Sequence, residues 1–138
     1  MVLIDSSAWI FALRKKPFLL LKDRVDHLLG IDIVYTFGMV MLEILGGAKT
    51  KGEFERLKER LEALDRISTD EKFWRRASKL AFDLQRKGLT IPYADIMIAS
   101  AAIESEAMLL HADSHFDLIA SHTELKVESY VAQVQKQL

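Results

Sequence analysis

The chain opens Met1-Val2-Leu3-Ile4-Asp5-Ser6-Ser7-Ala8-Trp9-Ile10, and this stretch decides the fold. Val2-Leu3-Ile4 is an uninterrupted apolar run, the form taken by a strand buried on both faces of a parallel sheet. Ser6 or Ser7 is placed to cap the helix that follows, which carries Trp9, Ile10 and Leu13 at helical spacing. One acid, Asp5, follows the strand directly.

Outward from this unit, strands and helices alternate. Further strands are expected over residues 31–36, 65–68, 108–111 and 125–127. Pro17 precedes a helix over 18–29 that ends at Gly30, and a short helix over 38–45 is stopped by Gly46-Gly47. A charged helix over 51–64 sets Phe54, Leu57, Leu61 and Leu64 on one face. Thr69 and Asp70 open a long helix running to Gly88, with Phe73, Ala77, Leu80, Ala81 and Leu84 inward. After Pro92 comes a helix over 93–105 that is apolar on most sides and therefore central. A short helix over 114–121 and a terminal helix from Tyr130 complete the pattern. It predicts an α/β fold: a three-layer α/β/α sandwich with a mainly parallel sheet, in a single domain over 1–138. Ligands of such sheets sit outside the carboxyl ends of the strands. Asp5 and Asp113 each follow a strand and are expected on that same edge.

Composition narrows the class. The chain is 50% hydrophobic and 28% charged, an ordinary globular balance. A net charge of −1 excludes an overall basic character. The bases nevertheless cluster: Arg14-Lys15-Lys16, Lys49 with Lys51, Arg75-Arg76 with Lys79, and Arg86-Lys87. The absence of cysteine excludes disulfides and thiolate zinc sites and fits a reducing compartment. The opening segment lacks the basic region of a signal peptide, and the charge-free stretches are too short or too polar to span a membrane. The expected location is the cytoplasm, with no membrane partner.

Four apolar runs each enclose one carboxylate. Asp5 is the only charge between Met1 and Leu13, Glu43 between Ile33 and Ala48, and Asp95 between Gly88 and Ile103, while Asp113 is the first charge after Glu106. Apolar runs are what a fold buries, and a buried carboxylate needs a partner. No Lys or Arg lies within these runs. Asp5, Asp95 and Asp113 also stand where helix caps or first-turn acids stand, whereas Glu43 lies mid-helix and has no such role. Two like charges about 4 Å apart repel by roughly 4 kcal/mol at an effective dielectric near 20. A shared Mg²⁺ or Mn²⁺ removes that cost and suits an all-carboxylate site without cysteine. Such ions activate water and polarise phosphoryl oxygens, which points to phosphodiester hydrolysis. His111, Asp113 and His115 form HxDxH, read as supporting rather than metal-binding because the spacing sets His111 and Asp113 on different elements from His115. His27 and His122 are expected at the surface. GxSxG, GxxxxGK[ST] and HExxH are absent.

Four segments together resemble the PIN-domain family: residues 2–10, Met41-Leu42-Glu43-Ile44-Leu45-Gly46-Gly47, Tyr93-Ala94-Asp95-Ile96-Met97-Ile98-Ala99-Ser100-Ala101 and Leu109-Leu110-His111-Ala112-Asp113-Ser114-His115-Phe116. Their order matches across almost the whole chain, and the group most similar is that of the VapC toxins. The resemblance implies a Mg²⁺- or Mn²⁺-dependent endoribonuclease acting on single-stranded or looped RNA and leaving 5′-phosphate and 3′-hydroxyl ends. It also implies a homodimer held in check by a VapB-type antitoxin. On transfer, Asp5, Glu43, Asp95 and Asp113 become metal ligands and catalytic residues, with Ser6 a supporting hydroxyl near the first acid. His111 stands where Thr or Ser is common. His115 stands where a further Asp is common, so a ligand is lost or the imidazole contributes; Asp117 is a candidate to compensate. Arg14, Lys15, Lys16 and Lys49, near Asp5 and Glu43 in sequence, are the candidates for RNA phosphates. Two other classes stay open. One is a PIN-like module that binds RNA or protein without cutting. The other is phosphotransfer at the same sheet edge, disfavoured because Ser7 stands where a haloacid-dehalogenase-type enzyme needs a second acid. Phe18-Leu19-Leu20-Leu21 and Trp74 are candidates for a dimer or antitoxin surface, or for core.

Overall fold

A computed structural model describes residues 1–136. Five strands form one sheet: β1 (Val2–Ile4), β2 (Val34–Phe37), β3 (Asp65–Ile67), β4 (Met108–His111) and β5 (Val127–Ser129). Their order is β3-β2-β1-β4-β5 and every pairing is parallel, as expected for apolar runs linked through helices. The order reverses beside β1, so the crevice between the ends of β1 and β4 is the switch point where α/β sheets place their ligands.

Helices α1 (Ser6–Leu13), α2 (Leu19–Gly30), α3 (Gly38–Gly46), α4 (Lys51–Glu62), α5 (Glu71–Arg86), α6 (Tyr93–Glu104), α7 (Ser114–Ala120) and α8 (Val131–Gln135) flank the sheet. The core forms where these meet it: Leu3, Ile4, Leu109 and Leu110 from the strands with Ala8, Trp9, Val40, Ile98 and Ala99 from the helices. The expected inward stripe of α5 is present, with Phe73, Ala77 and Leu84 buried and Leu80 and Ala81 packed on the core. Its C-terminus closes on Gly88 at φ +80, the left-handed value only glycine adopts without strain, while Leu89 N–H reaches back to Leu84 C=O.

Three local expectations are corrected. β2 begins at Val34 rather than residue 31, because α2 runs through Gly30 and Asp32 makes the turn with a left-handed φ of 56. β5 lies two residues later than 125–127: Leu125 is buried in the connection and Val127 is the first residue to pair. On α1, Trp9 is buried, but Ile10 and Leu13 face outward, as do Leu19, Leu20 and Trp74. Phe18 and Leu21 are core residues. Among the described residues no helix is long and apolar enough to cross a membrane.

Candidate functional site

Pairing of Ile4 with Leu110 sets β1 and β4 side by side, and Asp5 N–H donates to Leu110 C=O at 2.9 Å, extending the ladder by one residue. The two strand-end acids therefore leave the sheet next to each other. Asp5, not Ser6 or Ser7, is the N-cap of α1: its Oδ2 accepts from Ser7 N–H at 3.0 Å and from the Ser7 hydroxyl. Its Oδ1 is buried and, among the described residues, has no hydrogen-bond partner. Ser7 Oγ in turn accepts from Ala112 N–H at 2.9 Å, which ties the loop after β4 to the acid after β1.

The other acids arrive from three helices. Glu43 sits in α3, and Ser6 Oγ donates to its Oε1 at 3.0 Å, so Ser6 supports the second acid rather than the first. Asp95 lies in the first turn of α6 and is buried. Asp113 caps α7, its Oδ1 accepting from His115 N–H at 2.9 Å. His115 Nδ1 stands 2.9 Å from Asp95 Oδ2 and 3.3 Å from Asp113 Oδ1, so this imidazole joins the acids instead of standing apart from them.

His111 is fully buried at the end of β4. Its Nδ1 accepts from Asp113 N–H at 3.1 Å, which fixes the neutral tautomer with the proton on Nε2. Burial holds its pKa down, against the pull of Asp117 and Asp113. Nε2 lies 3.2 Å from Asp117 Oδ1 without the alignment of a hydrogen bond. Asp117 accepts from Ser129 Oγ at 2.9 Å, so it is held toward His111 and β5 and has partners of its own.

The acids share one electrostatic field. Burial pushes the Asp5 carboxyl up to about 6; the Ser7 donors oppose this, and the charges of Glu43 and Asp95 add to it. Asp95 is likewise raised by burial, then by Asp113, with His115 pulling it down and Glu43 pushing it up. Each carboxylate that is expected to be a ligand is thus felt by another. The residues fit a hard divalent cation. The donors are oxygens with one added nitrogen, Asp95, Asp113 and His115 offer atoms within 4.8 Å of one another, and the orphaned Asp5 Oδ1 lacks the partner a cation supplies.

Ser7, expected only as a candidate helix cap, instead joins the two strand ends. Its position two residues after a capping acid was the available signal. The basic candidates lie farther off than their numbers suggest. Arg14 caps the far end of α1, a helix about 12 Å long at 1.5 Å per residue, with its Nε on Lys16 C=O and its guanidinium over Phe11. Lys15, Lys16 and Lys49 are exposed.

Known proteins agree with this architecture. Ribonuclease VapC11 of Mycobacterium tuberculosis is 29% identical over 134 residues, 94% of this chain and 99% of that protein. Ribonuclease VapC18 of the same organism is 30% identical over 124 residues, 87% and 88% of the two chains. A chain of the crystal structure of VapBC2 from Rickettsia felis, bound to a DNA fragment from its promoter, superposes with a TM-score of 0.78 at 24% identity, covering 94% of this chain and 98% of that one. The family model described as PIN domain matches residues 2–121, a span that holds all four isolated acids, and the chain belongs to the PIN-domain family.

Proposed function

We propose that this chain is a divalent-metal-dependent endoribonuclease, the toxin of a VapBC-type toxin–antitoxin pair acting in the cytoplasm. Asp5, Glu43, Asp95 and Asp113 are its metal ligands, for Mg²⁺ or Mn²⁺. The observation that carries this reading is the buried, partnerless Asp5 Oδ1 inside a field of further carboxylates, at the switch point of a parallel sheet. The ribonuclease names of VapC11 and VapC18 support the reaction and an RNA substrate, and the VapBC2 complex supports an antitoxin partner. The chain acts as a homodimer, one domain per protomer.

When bound, the ion polarises a phosphoryl oxygen and lowers the pKa of water. The chain's own residues do the rest. Ser7 holds Asp5 Oδ2 and leaves Oδ1 free to bind. Ser6 orients Glu43, and His111 fixes the backbone at Asp113. Arg14, Lys15, Lys16 and Lys49 take RNA phosphates outside the acidic pocket, a sequence-independent contact that weakens with salt.

The test is cleavage of RNA by the purified chain with Mn²⁺, beside Asp5→Asn and Asp95→Asn. The wild type cleaves, leaving 5′-phosphate and 3′-hydroxyl ends, and each variant loses at least about 100-fold, the scale on which removing one stabilising group acts. Equal cleavage by all three refutes the assignment.

A further inference from the structure

His115 is the one non-carboxylate donor among the clustered acids, and its position is specific. Nδ1 is 2.9 Å from Asp95 Oδ2 and 3.3 Å from Asp113 Oδ1. Adjacent donors of an octahedral ion with bonds of about 2.1 Å stand about 3 Å apart. The two separations from Nδ1, the shorter one a hydrogen bond to Asp95, therefore match edges of a coordination octahedron, and the three residues each offer a donor atom within 4.8 Å of the others. The ring is half-buried, so it can meet an ion without rearranging the core. His115 is also held independently of any ion, since its backbone N–H is fixed by the Asp113 cap.

We propose that His115 binds the ion directly through Nδ1 and that this nitrogen makes the site prefer a first-row transition ion such as Mn²⁺ over Mg²⁺. The inference rests on the metal site proposed above and deepens it. A neutral imidazole in place of a carboxylate removes one negative charge, which weakens attraction for a hard ion held by oxygen. It adds a donor whose affinity rises along the transition series and which contributes little to Mg²⁺. The charge lost and the donor gained therefore act in opposite directions for the two ions.

The experiment loads the full-length chain with Mn²⁺ and with Mg²⁺ separately, measures both dissociation constants by calorimetry, and records ¹⁴N coupling to Mn²⁺ by pulsed electron paramagnetic resonance. The wild type is expected to show ¹⁴N coupling. His115→Asp is expected to abolish that coupling and to lower the preference for Mn²⁺ over Mg²⁺ by about tenfold, the low end of the change that altering a metal's immediate surroundings produces. His115→Ala weakens Mn²⁺ binding more than Mg²⁺ binding. The wild-type spectrum alone decides the point should either variant misfold. Mn²⁺ bound without ¹⁴N coupling, or equal weakening of both ions in His115→Ala, overturns the role of His115 and leaves the carboxylate site standing. Failure of the wild type to bind either ion, or binding unchanged by Asp95→Asn, overturns the metal site itself.

Discussion

Asp5, which follows β1, and Glu128, in the middle of β5, are carboxylates of one sheet treated in opposite ways. Glu128, on β5, is met by Arg24 of α2 in a two-pronged pair, Nε to Oε2 at 2.8 Å and a terminal nitrogen to Oε1 at 2.9 Å. Arg24 holds the Glu128 carboxyl below its usual range. Glu104, at the end of α6, is likewise lowered by Lys72 and Arg76. Asp5 is the more buried of the two acids, yet only the Ser7 donors oppose its burial, and the charges that act on it are acids. The chain supplies its own cation where a carboxylate joins two elements and supplies none at Asp5, where the proposed metal site calls for an external one. An acid left uncompensated in this way destabilises the metal-free fold, a cost that the proposed function would account for.

The largest effect that would sharpen this contrast is catalytic. Asp95→Asn lowers Mn²⁺-dependent RNA cleavage by at least about 100-fold, whereas Glu128→Gln leaves it within about threefold, as expected for a residue outside the site. Next comes stability. The Asp5 carboxyl rises from 3.8 to about 6 on folding, so the metal-free fold loses stability as pH rises from about 4 to above 6. Asp5→Asn removes that loss while keeping a good helix cap, and at pH 7.5 without metal it stabilises the chain by up to about 3 kcal/mol. The gain vanishes near pH 4, which denaturant unfolding at the two pH values measures. Glu128 has the opposite sign: its contribution is present above about pH 4.5 and is lost as pH falls through its lowered folded value. Ser7→Ala removes one donor from Asp5 and one acceptor from Ala112, and costs about 1–2 kcal/mol in chemical unfolding. Smallest is Glu128→Gln, about 1 kcal/mol, because the pair is partly exposed and screened.

The sequence exposed the parts of this site that depend on burial pattern. Val2-Leu3-Ile4 and Met108-Leu109-Leu110 announce buried strands because nothing polar interrupts them, and a lone acid in an apolar run signals a buried charge without reference to its partners. The five-stranded parallel sheet follows from the alternation, and so does the adjacency of the two strand ends after which Asp5 and Asp113 come. Side-chain direction was not legible. Asp117 is two residues from His115 on α7, yet it turns to His111 and Ser129 while His115 turns to Asp95. Ser6 and Ser7 are neighbours in sequence but serve different acids. Arg14 looks close to Asp5 by number and lies a helix length away. Strand edges shifted where a turn took residues, as at Asp32, because local φ choice is decided by tertiary packing that periodicity does not record.

Thermal unfolding of the chain at pH 7.5, with and without Mn²⁺, in the wild type and in Asp5→Asn, measures the uncompensated charge most directly. At Mn²⁺ about 100-fold above its dissociation constant the wild type gains about 2.7 kcal/mol and its Tm rises by several degrees. Asp5→Asn starts from a higher Tm and gains less than half as much. A wild-type Tm that Mn²⁺ does not move, or an equal rise in both proteins, contradicts the account.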